Sequence, residues 1–215
     1  MPYNPSFETA FSTTRFGTYR AIARNDDHAW ELHRWNLALV AALTPLNADI
    51  EVVVRNAIDT QLAKRFNRPD WWASNDLVLD DDTTRALSKV VAKHQRNVVA
   101  GKVGPGRVIV DLMLGTWVSL LSKGGTSALG RAVDYEAHLW RPALRHGFSK
   151  PTRDDVHKRV AIYKDLRNRC AHHEPPPPRC QPPREFQQPQ STFGILDFTF
   201  MFKPLSLFMS LLSIC

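Results

Sequence analysis

Apolar residues recur along most of this chain at intervals of three and four, the spacing of helices buried on one side. A helical pattern covers Phe7 to Ala23, and Asn25-Asp26-Asp27 supplies turn and capping chemistry for a second helix carrying Trp30, Leu32, Trp35, Leu39 and Leu43. Thr44-Pro45 then marks a fresh start, with Thr44 as cap and Pro45 at the first helical position, where a missing amide proton costs little. The helix it opens runs from about 45 to 66. Its Val52-Val53-Val54 run suits a strand locally, but Leu46, Ile50, Val53 and Ala57 keep helical spacing.

Residues 67–82, with Trp71-Trp72 and Asp80-Asp81-Asp82, read as an irregular connection, and the adjacent tryptophans read as core closure rather than as platforms for bases. A helix over 82–100 follows. The segment Gly101-Lys102-Val103-Gly104-Pro105-Gly106-Arg107 is a loop, since no Lys-Ser/Thr pair ends it and no strand precedes it, as a phosphate cradle would require. Val108 to Leu121 predicts one apolar helix at the centre of the core, broken by Gly124-Gly125, and a shorter helix ends at Leu139-Trp140-Arg141-Pro142. The expected fold is therefore all-α.

The last helix opens at Thr152, with Asp154 and Asp155 in a first turn where the dipole favours acids, and ends at Arg167-Asn168-Arg169-Cys170-Ala171-His172-His173-Glu174, followed at once by four prolines. Val156, Val160, Tyr163 and Cys170 fall on one line of this helix, and Arg167 falls on it too. A guanidinium in an apolar seam needs an anion. His172, five residues on, lies roughly 140° round a straight helix from Arg167, so the two flank a groove or face each other across a dimer instead of gripping one atom. Asn168 and His172 are four apart and suit an amide orienting an imidazole.

This ending, with its trailing His-Glu-Pro, resembles the signature of the Abi-like (abortive-infection) proteins of the HEPN superfamily; Arg167, Asn168 and His172 fit its Arg, polar residue and His. Residues 50–58, Ile-Glu-Val-Val-Val-Arg-Asn-Ala-Ile, preceded by Arg34-Trp35-Asn36, resemble the first helical hairpin of the same family, and Gly115-Thr116-Trp117 also resembles its pattern. The likeness spans roughly residues 10–175. It implies a HEPN-like helical bundle over 1–174 and a metal-independent endoribonuclease acting in antiviral defence as a toxin. Arg167, Asn168 and His172 would be catalytic, with His173, Glu174, Glu51, Arg55 and Asn56 supporting the site or holding substrate. No cofactor is implied, and the partners are RNA, a second copy of the chain, and an antitoxin or regulatory RNA. Glu51, Arg55 and Asp59 also fit a surface salt-bridge ladder, acid, base and acid at four-residue steps.

Composition changes the picture chiefly through charge. The formal net charge is +7, and residues 141–184 hold 11 Lys+Arg against 4 Asp+Glu, so the excess lies around the signature. A localised basic surface favours a polyanion; a solvated basic helix face is the plainer alternative. Cys170, Cys180 and Cys215 lack framework spacing, and the first residues lack a secretory pattern, so a cytoplasmic location is expected. Residues 175–192, with Pro175 to Pro178 and Pro182-Pro183, form a linker of polyproline tendency, and 193–215 form an apolar tail interrupted by Lys203-Pro204 and hydroxyl residues, a poor membrane span. The family normally continues differently after the motif, and this end departs from it.

Besides the nuclease, other readings of the signature stay open. The residues suit a phosphate clamp in a non-catalytic binding module. They suit an internal Arg167–Glu51 ion pair with the histidines capping the helix. A zinc site from Cys170, His172, His173 and Cys180 matches no ordinary finger spacing.

Overall fold

In a computed structural model of the chain, Tyr3, Asn4, Ser6 and residues 12–148 and 151–174 are described. Within them the regular structure is helical: α1 Thr13–Arg20, α2 Asp26–Phe66, α3 Asp81–Val99, α4 Gly106–Asp111, α5 Leu114–Leu120 and α6 Arg153–Ala171. Single turns of tighter or wider helix occupy Trp71–Ala73, Glu136–Trp140 and Leu144–Gly147, and the one β feature is an isolated bridge between Thr126 and Ala132. The fold is all-α. The start of the expected first helix at 7–11, the Pro-rich linker 175–192 and the apolar tail 193–215 lie outside the described residues.

Where two helices were expected at 25–66 there is one of 41 residues, with Pro45 inside it. Pro45 cannot donate to the carbonyl one turn back, which normally breaks a helix. Thr44, the expected cap, acts in the opposite sense: its hydroxyl donates to the Val40 carbonyl at 2.7 Å, bonding back within the turn. The helix is held through the proline by its buried face, because Leu32, Asn36, Leu39, Leu43, Asn47, Ile50, Val54, Ile58 and Leu62 follow one another at steps of three and four and are all buried. By length and composition α2 is also the one helix among the described residues long and apolar enough to cross a membrane. A packed core helix passes the same test.

The other correction falls at 108–121, where the expected single helix is two short ones. Leu112 and Met113 take extended conformations, ψ 128° and 148°, and separate α4 from α5. Apolar content alone does not reveal this break, since both residues favour helix intrinsically. Leu112 is 3% exposed and Met113 76%, so the kink turns one side chain in and the next out.

By contacts the chain divides into two compact units, one comprising residues up to Asp49 together with those from Asp165, the other Ile50 to Lys164. Helices α2 and α6 contribute to both. In the first unit Phe16, Tyr19, Ala29 and Leu32 form a core, with the Tyr3 ring stacked on Phe16 at 5.4 Å. In the second, Trp71 and Trp117 are fully buried beside each other at 6.3 Å, and the Trp71 indole donates to Asp59 at 2.8 Å. Trp71 is thus core, as expected, while Trp72 is half-buried. Burial pushes the Asp59 carboxyl up, against the pull of the Trp71 hydrogen bond and Arg55.

Helix α3 starts at Asp81, one residue before the expected 82, and Asp80, read from the sequence as part of the irregular connection, is its N-cap: the carboxylate accepts from the Thr83 amide at 2.8 Å. Gly124 has φ 90°, and a Cβ there would lie 2.1 Å from the Val133 carbonyl oxygen, so only glycine fits that turn. Thr152 caps α6 as expected, its hydroxyl accepting from the Asp155 amide and donating to the Asp155 carboxylate. Beside it, buried Arg153 donates to the Leu121 carbonyl at 3.0 Å and to Glu136 at 3.2 Å, which anchors the start of α6.

Helices α3 and α4 are tied through Asp111, whose carboxylate accepts from Lys93 and from the buried His94 ring, each at 2.8 Å. These bonds, Lys93 first and His94 second, hold its pKa down from 3.8 to about 2. A folded-state pKa below the unfolded value means stability that is present above pH 3.8 and is lost as pH falls towards about 2. The stability gap between the parent and Asp111→Asn should therefore be full near neutrality and shrink between pH 4 and 2, as measured by urea titration. A gap that stays constant over that range would show that the ion pairs contribute nothing.

Candidate functional site

The signature falls at the end of α6, in the first unit. The apolar line expected on this helix is present: Val156, Val160, Tyr163 and Cys170 are 2%, 1%, 6% and 7% exposed. Arg167 on that line is half-buried, as are Asn168 and Arg169, whereas His172, His173 and Glu174 are exposed. One guanidinium nitrogen of Arg167 lies 3.5 Å from the Asn168 side-chain oxygen, at the outer limit of a hydrogen bond. Arginine and amide thus form one polar surface a single turn before the histidines.

Backbone geometry fixes the histidines. The Glu174 amide donates to the Arg169 carbonyl at 2.9 Å and the His173 amide to the Cys170 carbonyl at 3.1 Å, the paired bonds of a Schellman ending. His172 is then the C-cap, its amide donating to the Asn168 carbonyl at 2.9 Å. His173 takes the left-handed position, φ 52°, usually given to glycine. The helix does not simply stop at the prolines; it is closed by its own backbone, and the closure turns the two imidazoles onto different backbone conformations.

What holds this turn comes from α1 and the first half of α2. Asn36, 1% exposed, donates through its side-chain amide to the Tyr19 hydroxyl at 2.8 Å and to the Glu174 carbonyl at 3.3 Å. Asn47, 8% exposed, hydrogen-bonds the Cys170 thiol; burial pushes that thiol up and the Asn47 bond partly opposes the rise. Both amides of the α2 stripe in this unit therefore reach the signature. His33 sits between the Trp30 ring, stacked at 5.4 Å, and the Tyr19 ring, met edge-on at 5.3 Å. Burial chiefly, then the charges of Arg15 and His173, hold His33 below the usual imidazole range. Burial likewise raises Tyr19, against its Asn36 bond.

Tyr19, His33 and Asn47 escaped the sequence reading, and Asn36 entered it only as part of a likeness. One cue was available, because Asn36 and Asn47 occupy apolar positions of a helical stripe, and a buried amide must be hydrogen-bonded to something.

Glu51, Arg55 and Asn56 lie in the second unit, on α2. Arg55 Nε lies 3.5 Å from the Asn56 side-chain oxygen; Arg55 and Glu51 are half-buried and Asn56 exposed. A cavity of about 710 Å³ in the same unit, lined by Trp72, Leu77, Val91 and Val98 with Thr84 and Gln95, contains none of the expected site residues. Among the described residues no group of three or more His, Cys, Asp or Glu side chains is placed to hold a metal ion; Cys180 and Cys215 lie outside them.

The chain matches no family model, no curated protein and no solved structure.

The left-handed turn yields a test. A side chain with a Cβ at φ 52° is strained by roughly 1–2 kcal/mol relative to glycine, and most strained when β-branched. His173→Gly should leave the melting temperature unchanged or raise it, while His173→Val should lower it. Equal melting temperatures for the two variants would mean that the Schellman turn does not form.

Proposed function

We propose that this chain is an Abi-like protein of the HEPN type, a metal-independent endoribonuclease of abortive-infection defence that works in the cytoplasm as a two-fold dimer. The observation that carries the reading is the grouping at one helix end: exposed His172 and His173, half-buried Arg167 and Asn168 one turn behind, and a basic stretch around them. A helix C-terminus carries partial negative charge and repels anions, so phosphate there must be held by side chains. Arg167 and Arg169 supply that charge.

The reaction that suits these groups is attack of the RNA 2′-oxygen on the adjacent phosphorus. The 2′-hydroxyl proton passes to a base, the bond from phosphorus to the 5′-oxygen breaks, and that oxygen takes a proton. The products are a 2′,3′-cyclic phosphate and a 5′-hydroxyl. His172 is the proton-transfer group at one of the two oxygens, with Asn168 one turn behind to orient it, and Arg167 stabilises charge on the phosphate. His173 and Glu174 shape the turn. Glu51, Arg55 and Asn56 are the supporting residues that the family likeness adds, and an antitoxin or regulatory RNA is the partner it implies.

A proton-transfer group and a charge clamp respond differently to removal. His172→Ala should reduce cleavage of RNA by roughly 100-fold or more while RNA affinity changes little, because one imidazole adds little to ionic binding. Arg167→Ala should weaken both, since the guanidinium meets phosphate oxygens before and during the reaction. Cleavage should survive EDTA. A His172→Ala protein that is folded by circular dichroism and cuts at the parental rate would remove the nuclease assignment, leaving the same residues as a phosphate clamp.

A further inference from the structure

We infer that Asn36 is a positioning residue for the signature turn, acting through the Glu174 backbone and never touching RNA; the inference rests on the nuclease reading for its kinetic consequence. The side chain is 1% exposed and 138 residues away in sequence from the group it holds. A buried amide is retained in an apolar stripe only when its hydrogen bonds are made inside, and a leucine at this position would extend the stripe from Leu32 to Leu39 without a break. The two acceptors of Asn36 divide its work. Tyr19, 2% exposed, fixes the amide plane from α1, and the Glu174 carbonyl is the last backbone group of the Schellman turn.

That carbonyl follows His173 directly. Tethering it defines where the chain goes after the left-handed residue, and so restrains the backbone from which both imidazoles project. Asn47 on Cys170 restrains the turn before it. Between these two amides the five residues Cys170 to Glu174 are held at both ends by one face of α2, while His172 and His173 themselves stay exposed. Misplacement of a proton-transfer group by about 1 Å costs on the order of 100-fold in rate, so a lost tether should appear in the rate and not in binding.

The test compares Asn36→Asp, which keeps the shape but loses the amide donors, with Tyr19→Phe, which cuts only the other bond of the same amide. Asn36→Asp should lower kcat for RNA cleavage roughly 10- to 100-fold with KM within about threefold of the parent. Tyr19→Phe, which leaves the Glu174 bond in place, should lose thermal stability and lower kcat less than Asn36→Asp does. In NMR spectra the His172 and His173 imidazole signals should move in Asn36→Asp while those of His94 and His138, in the second unit, stay put. If Asn36→Asp does not fold, Asn36→Ser, too short to reach Glu174 and uncharged, carries the same expectations. A folded variant with parental kcat and unshifted His172 and His173 signals overturns the inference. Should the parent protein not cut RNA at all, the nuclease reading fails, and the imidazole shifts alone still decide whether Asn36 positions the turn.

Discussion

The structure of the site depends on one constraint, that an amide buried in an apolar helix face must find its partners inside the protein. Helix α2 carries two such amides in the first unit. Asn36 satisfies itself on Tyr19 and on the Glu174 carbonyl, and Asn47 on Cys170, so each amide has a partner in the octapeptide 167–174. Each amide hydrogen bond adds only about 1 kcal/mol net, yet leaving either group unsatisfied costs about 1–3 kcal/mol. Packing can place a helix end approximately; this penalty selects one arrangement of its last turn.

From this constraint the remaining features of the helix end follow. The turn must be tight enough to bring Glu174 to Asn36, and a Schellman closure with His173 in the left-handed position achieves that. The residues left facing solvent include the two imidazoles, and those left at half burial are Arg167, Asn168 and Arg169. A guanidinium and an imidazole on adjoining turns, in the most basic stretch of the chain, suit a phosphodiester better than a small neutral ligand.

Much of the helical architecture was legible because amphipathic spacing survives local exceptions. The line Val156, Val160, Tyr163 and Cys170 is buried as its period required, and Thr152 caps where its side chain suggested. Two boundaries were not legible. Pro45 reads as a start because it lacks a donor, but the buried stripe of α2 from Leu32 to Leu62 outweighs one missing hydrogen bond. Leu112 and Met113 read as helix because nothing in their side chains marks an extended turn, yet both are extended in the structure. At the candidate site, residue types raised Arg167, Asn168 and His172 as expectations, while the role of Asn36 was hidden because the Glu174 carbonyl it holds is 138 residues away in sequence. The asparagines of a stripe were the available clue, and it named a requirement without naming the partner.

The proposed nuclease is defined by how a phosphodiester would be cut at the end of α6. The direct measurement is mass analysis of the products from a synthetic RNA oligonucleotide incubated with the full chain in EDTA, beside the same oligonucleotide carrying 2′-deoxyribose at the cleaved nucleotide. Attack by the 2′-oxygen with proton transfer by His172 predicts a 2′,3′-cyclic phosphate on one fragment, a 5′-hydroxyl on the other, and no cleavage at the deoxy position. Fragments ending in 3′-hydroxyl and 5′-phosphate, or cleavage that persists at the deoxy position, would require water as nucleophile and would contradict it.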